Sequence, residues 1–267
     1  MSYPITSHLS DREIRLLIGS ACYTDIALAT GGEWHTNKLE EMVNTEDKDG
    51  NTYYSEYSGL FRGMRNGRIP GAKTSIRIQN ILKTNSFSTW IDLPLWPLLY
   101  NYHYEESHIL NALNSLPKEM RDIIFVDGHY DPGLQRLARH EVTVDMIKKI
   151  SKYENLHALV AVTAFARESR QNNIHRISAF SSFATQELFP KVICKTPQLY
   201  IRWPKLAEIY QHIFWEPPKT ATSVIWLGYE KEKLVSEIEN EEKNAISCHI
   251  QLPPKHIFRS INKTHLY

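Results

Sequence analysis

Apolar residues along this chain recur mostly every three or four positions, which is the period of α-helices that bury one face. The stretch 156–167 has few charges and is predicted to be a helix in the core. A first helix is predicted from about Asp11, because Ser10 and Glu13 have the spacing of a capping box. Gly31-Gly32 is expected to end this helix, since paired glycines interrupt helical patterns.

Shorter helical patterns occupy much of the remaining chain, and only a few segments favour strands. The other predicted helices cover 34–43, 62–68, 73–82, 107–116, 134–140, 143–153, 204–213 and 230–243. Short strands are predicted at 223–227 and 246–252, while 123–126 fits either a strand or a buried helix end. A turn-rich loop is predicted at 127–133. The fold class that follows is mainly α with a few short strands.

The bulk composition is that of an ordinary globular protein, with 42% hydrophobic and 23% charged residues. The net charge is +1, so the charge of the whole chain does not indicate a nucleic-acid partner. The three cysteines lie far apart without a CxxC motif, which argues against a disulfide framework and a zinc site. The N-terminus lacks a signal-peptide pattern, and no apolar run approaches the roughly 20 residues of a membrane span. These features predict a cytoplasmic protein with no membrane contact.

The local charge is far from even. The segment 33–56 contains seven carboxylates and two lysines, and 46–51 within it has the composition of a surface loop. From 57 to 91 there is no Asp or Glu, and the charged residues are Arg62, Arg65, Arg68, Lys73, Arg77 and Lys83. Pro70-Gly71 separates two helical segments, and the second is predicted to bury Ile76, Ile78, Ile81 and Leu82.

This basic segment resembles a known DNA-binding motif. Arg62, Arg65 and Arg68 share roughly one face of a helix, and Asn66 has a base-reading side chain. The order of an aromatic-containing helix, Arg-Asn-Gly-Arg-Ile-Pro and an Ile/Leu-patterned helix resembles the second half of a Cro/phage-repressor-type helix-turn-helix, over about 54–82. The following Pro94-Leu95-Trp96 is similar to a segment of uncharacterised bacterial proteins. The resemblance implies duplex DNA as the partner, with Asn66 reading bases and with phosphate contacts from Arg62, Arg65, Arg68, Lys73 and Arg77.

The predicted organisation is a helical region at 1–105, which contains the helix-turn-helix-like segment 53–96, and a mostly helical region with minor β at 106–267. The two regions can also form one domain. The predicted function is a DNA-associated protein, either a regulator or a component of a mobile element. Two alternatives for the basic segment stay open: a non-catalytic subunit that meets a protein partner or another copy of itself, and an internal pairing of the basic segment with the acidic segment 33–56.

Catalytic signatures are absent from the sequence, so no enzyme activity, catalytic residue, metal or cofactor is predicted. There is no P-loop, GxGxxG or GxSxG. His129, Asp131, His140 and Glu141 lie close in sequence, but their spacing matches no metal motif. A metal-dependent hydrolase or nuclease that uses this cluster is the remaining hypothesis.

Overall fold

The computed structural model describes residues 9–43, 59–82, 87–100, 105–131, 136–216 and 230–263. Helices dominate these residues, with one two-stranded antiparallel sheet among them, so the prediction of a mainly α fold with a few short strands is confirmed. In chain order the helices are α1 (Leu9–Ala29), α2 (Thr36–Val43), α3 (Leu60–Arg65), α4 (Ala72–Leu82), α5 (Phe87–Ile91), α6 (Leu95–Leu98), α7 (Glu106–Asn114), α8 (Lys118–Ile124), α9 (Val144–Ser151), α10 (Leu156–Gln171), α11 (His175–Lys195), α12 (Pro197–Tyr200), α13 (Trp203–Tyr210), α14 (Lys231–Ser247) and α15 (Lys255–Ile261). The strands are β1 (Phe125–Asp131) and β2 (Arg136–Arg139), and a π-helical turn, Gln211–Trp215, follows α13.

The chain folds into two compact units that are both discontinuous in sequence. Unit 1 comprises Met1–Leu93, Thr196–Ala207 and Ile246–Tyr267, and unit 2 comprises Pro94–Lys195 and Glu208–Ala245. The predicted regions, 1–105 and 106–267, are each contiguous in sequence.

Unit 1 is organised around α1, against which α3, α5 and α12 pack. The helix begins at Leu9, so Ser10 lies within its first turn and not at the predicted cap. Gly31 ends the helix as predicted, with a positive φ of 76° and a hydrogen bond from its amide to Leu28 O. The amide of Gly32 reaches back to Ala27 O, which completes a Schellman motif.

Unit 2 is organised around α10, which packs against α7, α9 and α11. The predicted core position of this helix is confirmed, because most of its side chains from Ala158 to Ala166 are buried. Thr163 near its middle forms a buried 2.7 Å hydrogen bond with the Tyr210 hydroxyl. Burial raises the pKa of Tyr210 far above its ordinary value, and its hydrogen bond with Thr163 only partly opposes this effect.

The region after α8 differs from its prediction. Residues 136–139, placed in a predicted helix at 134–140, form strand β2, and β1 covers most of the predicted loop at 127–133. The two strands pair antiparallel, with Tyr130 opposite Leu137 and Phe125 opposite Arg139. A helix of seven residues is only marginally stable, whereas pairing with β1 satisfies the backbone of both segments. Tertiary pairing therefore overrides the helical pattern.

Two further predictions are wrong because of helix geometry. Ile76 is 57% exposed although Ile78 is fully buried, since residues two apart on a helix point in nearly opposite directions. The predicted strand at 246–252 does not form, because α14 continues through Ile246, which is 64% exposed. The predicted loop at 46–51 and strand at 223–227 lie outside the described residues. Of the helices that the structure describes, none is at once long enough and apolar enough to cross a bilayer.

Candidate nucleic-acid interface

The basic segment begins with α3, a six-residue helix that buries Leu60, Phe61 and Met64. A Schellman motif ends it: the Gly67 amide donates to Met64 O at 2.9 Å and the Arg68 amide donates to Gly63 O at 2.8 Å. Gly67 has a φ of 95°, which a side chain would strain. The Arg-Asn-Gly-Arg sequence therefore forms a tight reverse turn at the end of a short helix.

This turn lies directly on α1, backbone against backbone. A Cβ atom added at Gly67 would lie 3.0 Å from Leu16 Cα, and one added at Gly19 would lie 2.5 Å from Met64 O. The 2.5 Å distance is shorter than real Cβ contacts and the 3.0 Å distance is tighter than nine in ten of them, so a side chain at either glycine would force backbone atoms apart. The two glycines hold the basic turn close to the middle of α1.

The structure divides the six predicted site residues into two groups. Four are exposed: Arg62, Asn66, Arg68 and Lys73. The other two, Arg65 and Arg77, are half-buried and have partners within the chain. Arg77 Nη2 donates to Val43 O at 3.5 Å, at the end of α2.

Arg65 is directed into unit 1. Its guanidinium hydrogen bonds with the hydroxyl of Tyr23, which in turn donates to Trp34 O. Burial raises the pKa of Tyr23, and the charge of Arg65 opposes the rise. The side chain of Arg65 is therefore engaged inside the protein.

A buried arginine fixes the end of α3. Arg202 is 6% exposed and donates to Arg65 O at 3.0 Å, Ile261 O at 2.6 Å and Ser20 Oγ at 3.2 Å. Arg65 and Ile261 are the last residues of α3 and α15, where unpaired carbonyls carry partial negative charge. Burial, and then the charge of Arg65, lower the pKa of Arg202 to about 10, so the group remains protonated at neutral pH. Arg202 is thus a structural cation that ties two helix ends together.

Two exposed cations of α1 were absent from the predicted site residues, and one of them, Arg15, borders this turn. Arg12 and Arg15 are exposed residues of α1, one helical turn apart. The added Cβ of Gly67 would lie 3.5 Å from the backbone of Arg15, so the α1 backbone at Arg15 borders the turn. The signal could not be read from the sequence, because about 50 residues separate α1 from the turn. We call Arg12, Arg15, Arg62, Arg68 and Lys73 together the basic face.

Acidic residues near the basic face form salt bridges with other cations, so the face keeps most of its positive charge. Glu13, between Arg12 and Arg15, forms a salt bridge with Lys205. Glu33 on the acidic segment pairs with Lys38, 3.6 Å away. Across the described ranges, no salt bridge joins the basic face to the acidic segment. The remainder of that segment, 44–56, lies outside the described residues, so its predicted internal pairing stays a prediction.

Asp131 and His140 of the predicted His129 to Glu141 cluster lie apart along the sheet. The backbone of Asp131 lies opposite that of Arg136 at one end of the β1–β2 ladder, whereas His140 follows Arg139 at the other end. Four residues of strand separate these positions by roughly 13 Å. His140 and Glu141 instead line an open cleft of about 390 Å³ in unit 2, together with Asp145 and Lys149. No group of three potential metal ligands occurs among the residues that the structure describes.

No family model, curated protein or solved structure matches this chain. The helix-turn-helix resemblance therefore stays a prediction, and function has to be argued from the basic face itself.

Proposed function

We propose that this chain binds duplex DNA through phosphate contacts made by the basic face of unit 1. The observation that carries the proposal is the exposure of its five cations, on α1, on α3 with its turn, and at the start of α4. Arginine and lysine at such positions contact phosphate oxygens and release condensed counterions from DNA. In this proposal the protein is a DNA-associated component, either a regulator or part of a mobile element.

The short α3 limits how much sequence the protein reads. Motifs that read the major groove direct three or four side chains of one helix at base edges. Of the long side chains on α3, Arg62 alone is exposed, and Asn66 in the turn is the nearby amide that pairs well with adenine. We therefore expect binding dominated by phosphates, with a weak sequence preference supplied by Asn66.

Binding to a duplex across a salt series tests this proposal. Five phosphate contacts give a slope of log affinity against log salt of roughly −4.5. Replacing Arg62→Ala together with Arg68→Ala should reduce the steepness by about 1.8, since each lost contact contributes about 0.9. The matched control is Lys148→Ala with Lys149→Ala, which removes two exposed cations from α9 in unit 2.

Absence of binding at low salt would refute the proposal. An equal change of slope in the Arg62/Arg68 and Lys148/Lys149 variants would refute the assignment to the basic face. The competing candidate is an acidic protein partner on the same face. Co-purification of a protein that survives nuclease treatment, with no affinity of the pure chain for DNA, would favour that candidate.

A further inference from the structure

The first half of helix α11 buries serine side chains and exposes an aromatic one. Its inward face carries the hydroxyls of Ser178, Ser181 and Ser182, which are buried and have no hydrogen-bond partner among the described residues. Its outward face carries Phe180, which is 40% exposed, and Phe183, which is half-buried. A helix at a protein surface normally buries its apolar side chains and exposes the polar ones. The outward aromatic residues of α11 therefore indicate a surface that is covered by a partner.

The outward face has the spacing of a coiled-coil seam. Arg176, Phe180, Phe183 and Glu187 follow one another at intervals of four, three and four residues. At 100° per residue, all four fall within about 60° of one another around the helix. This alternation keeps one row of side chains directed at a second helix along its length. Arg176 and Glu187, at the two ends of the row, are both exposed.

The row is also complementary to itself when reversed. An antiparallel second copy of α11 places Phe180 against Phe183 of that copy, and the reverse pair forms by symmetry. The same register places Arg176 against Glu187 of the second copy, twice in the dimer. We propose that α11 is a self-association surface, and that its occupant is the α11 helix of a second copy of this chain in antiparallel orientation.

Charge complementarity favours a second copy in this orientation. A parallel pair would set Arg176 against Arg176 and Glu187 against Glu187, whereas the antiparallel pair neutralises all four groups. An interface that uses the same patch on both subunits is the expected form of a two-fold dimer. Within the chain, Glu187 also lies near Lys191, whose pKa is raised mainly by its hydrogen bond with Glu154 and to a lesser degree by Glu187. A seam of two aromatic layers is small, so the dimer belongs to the weak class of interfaces.

Charge reversal measured by sedimentation equilibrium tests the proposal. The unmodified chain should dimerise in a concentration-dependent manner. Arg176→Glu or Glu187→Arg alone should weaken association by about tenfold, because two attractive pairs become two repulsive pairs. The double variant should restore association to within about threefold of the unmodified chain. A role confined to the fold of the monomer cannot produce this pattern.

Phe180→Gln should abolish dimerisation while leaving the circular dichroism unchanged, because Phe180 is exposed in the monomer. The matched control is Tyr153→Gln, which replaces another aromatic residue of unit 2 that is 38% exposed. A monomer at all concentrations would overturn the proposal. So would a dimer that Phe180→Gln leaves intact, or a double charge variant no better than the single variants.

Disulfide formation between mixed variants tests the orientation. The exposed native Cys248 is first replaced by serine. An equimolar mixture of Arg176→Cys and Glu187→Cys chains should then form a covalent heterodimer under mild oxidation, whereas neither chain should cross-link with itself. Self-linking of the Arg176→Cys chain, or no covalent heterodimer in the mixture, would overturn the antiparallel register.

Discussion

The glycine contact between α1 and the basic turn supports a graded prediction, because three glycines separate two physical effects. Gly31 has a positive φ of 76° but no atom within 4 Å of an added Cβ. Gly19 lies inside α1 with no positive φ, but its added Cβ would lie 2.5 Å from Met64 O. Gly67 combines a φ of 95° with a Cβ position 3.0 Å from Leu16 Cα. Replacement by alanine therefore tests the backbone conformation alone at Gly31, the lack of space alone at Gly19, and both effects together at Gly67.

The expected losses of unfolding free energy follow from these distances. Gly31→Ala should cost about 1 kcal/mol, the lower end of the penalty for a left-handed alanine. Gly19→Ala should cost about 1–2 kcal/mol, because the neighbouring atoms belong to backbone and the two segments must move apart. Gly67→Ala should cost about 2–4 kcal/mol, since both penalties apply. The entropy that alanine removes from the unfolded chain is common to the three variants and cancels in their comparison.

Urea denaturation followed by circular dichroism measures these losses of unfolding free energy. An unchanged m-value checks that each variant exposes the same amount of surface on unfolding. The order of cost is the critical result. If Gly67→Ala costs no more than Gly31→Ala, the turn does not lie on α1 as closely as described. If Gly19→Ala stabilises the protein, as alanine does in an open helix interior, the same conclusion follows.

Two other changes test the electrostatics of the fold. Arg202→Met should lower the unfolding free energy by about 2–4 kcal/mol in urea denaturation, because the Ile261 carbonyl loses its donor and, among the described residues, the Arg65 carbonyl keeps only the hydrogen bond from Ser20. An unchanged midpoint would contradict the structural role. The hydrogen bond from Lys191 is the main cause that lowers the pKa of Glu154 in the folded protein. The contact therefore stabilises the protein above pH 4.5, the ordinary pKa of glutamate in the unfolded chain. This stabilisation is lost as the pH falls through the lower pKa that Glu154 has in the folded protein. Glu154→Gln should therefore lose less thermal stability than the unmodified chain below pH 4.5, with a difference of less than about 1 kcal/mol because the pair is half-exposed. An unaltered pH profile of thermal stability would exclude a contribution from this ion pair.

Features that depend on local chemistry were predictable from the sequence. Gly31-Gly32 ends α1 because the backbone there needs a positive φ, which glycine adopts at little cost. Thr143 precedes α9 and its hydroxyl accepts a hydrogen bond from the Met146 amide, as the predicted start of that helix requires. The apolar run of α10 leaves it no stable position outside the core.

Features that depend on distant partners were not predictable. Strand β2 exists because β1 pairs with it, and nothing within residues 136–139 specifies that partner. In the first half of α11 the serines face inward whereas Phe180 and Phe183 face outward, so the usual interpretation of the pattern gives the wrong face there. Pro190 lies inside the same helix, although proline normally interrupts helices.

The candidate site shows the same division. The exposure of Arg62, Arg68 and Lys73 agrees with their acid-free surroundings in the sequence. The inward direction of Arg65 depends on Tyr23, which lies on another helix. Its carbonyl contact depends on Arg202, which lies 137 residues further along the chain.

The contacts of Arg202 also bear on how the chain is made. Unit 1 needs the residues 196–207 and 246–267 in addition to its N-terminal helices. During synthesis at about 5–20 residues per second, the N-terminal helices emerge long before the segments that complete their packing. Bringing such distant segments together carries a loop-closure cost, and contacts of long sequence separation slow folding. The glycine-lined contact beneath the basic turn can thus form early, but the helix ends that Arg202 joins are secured only after Ile261 has been synthesised.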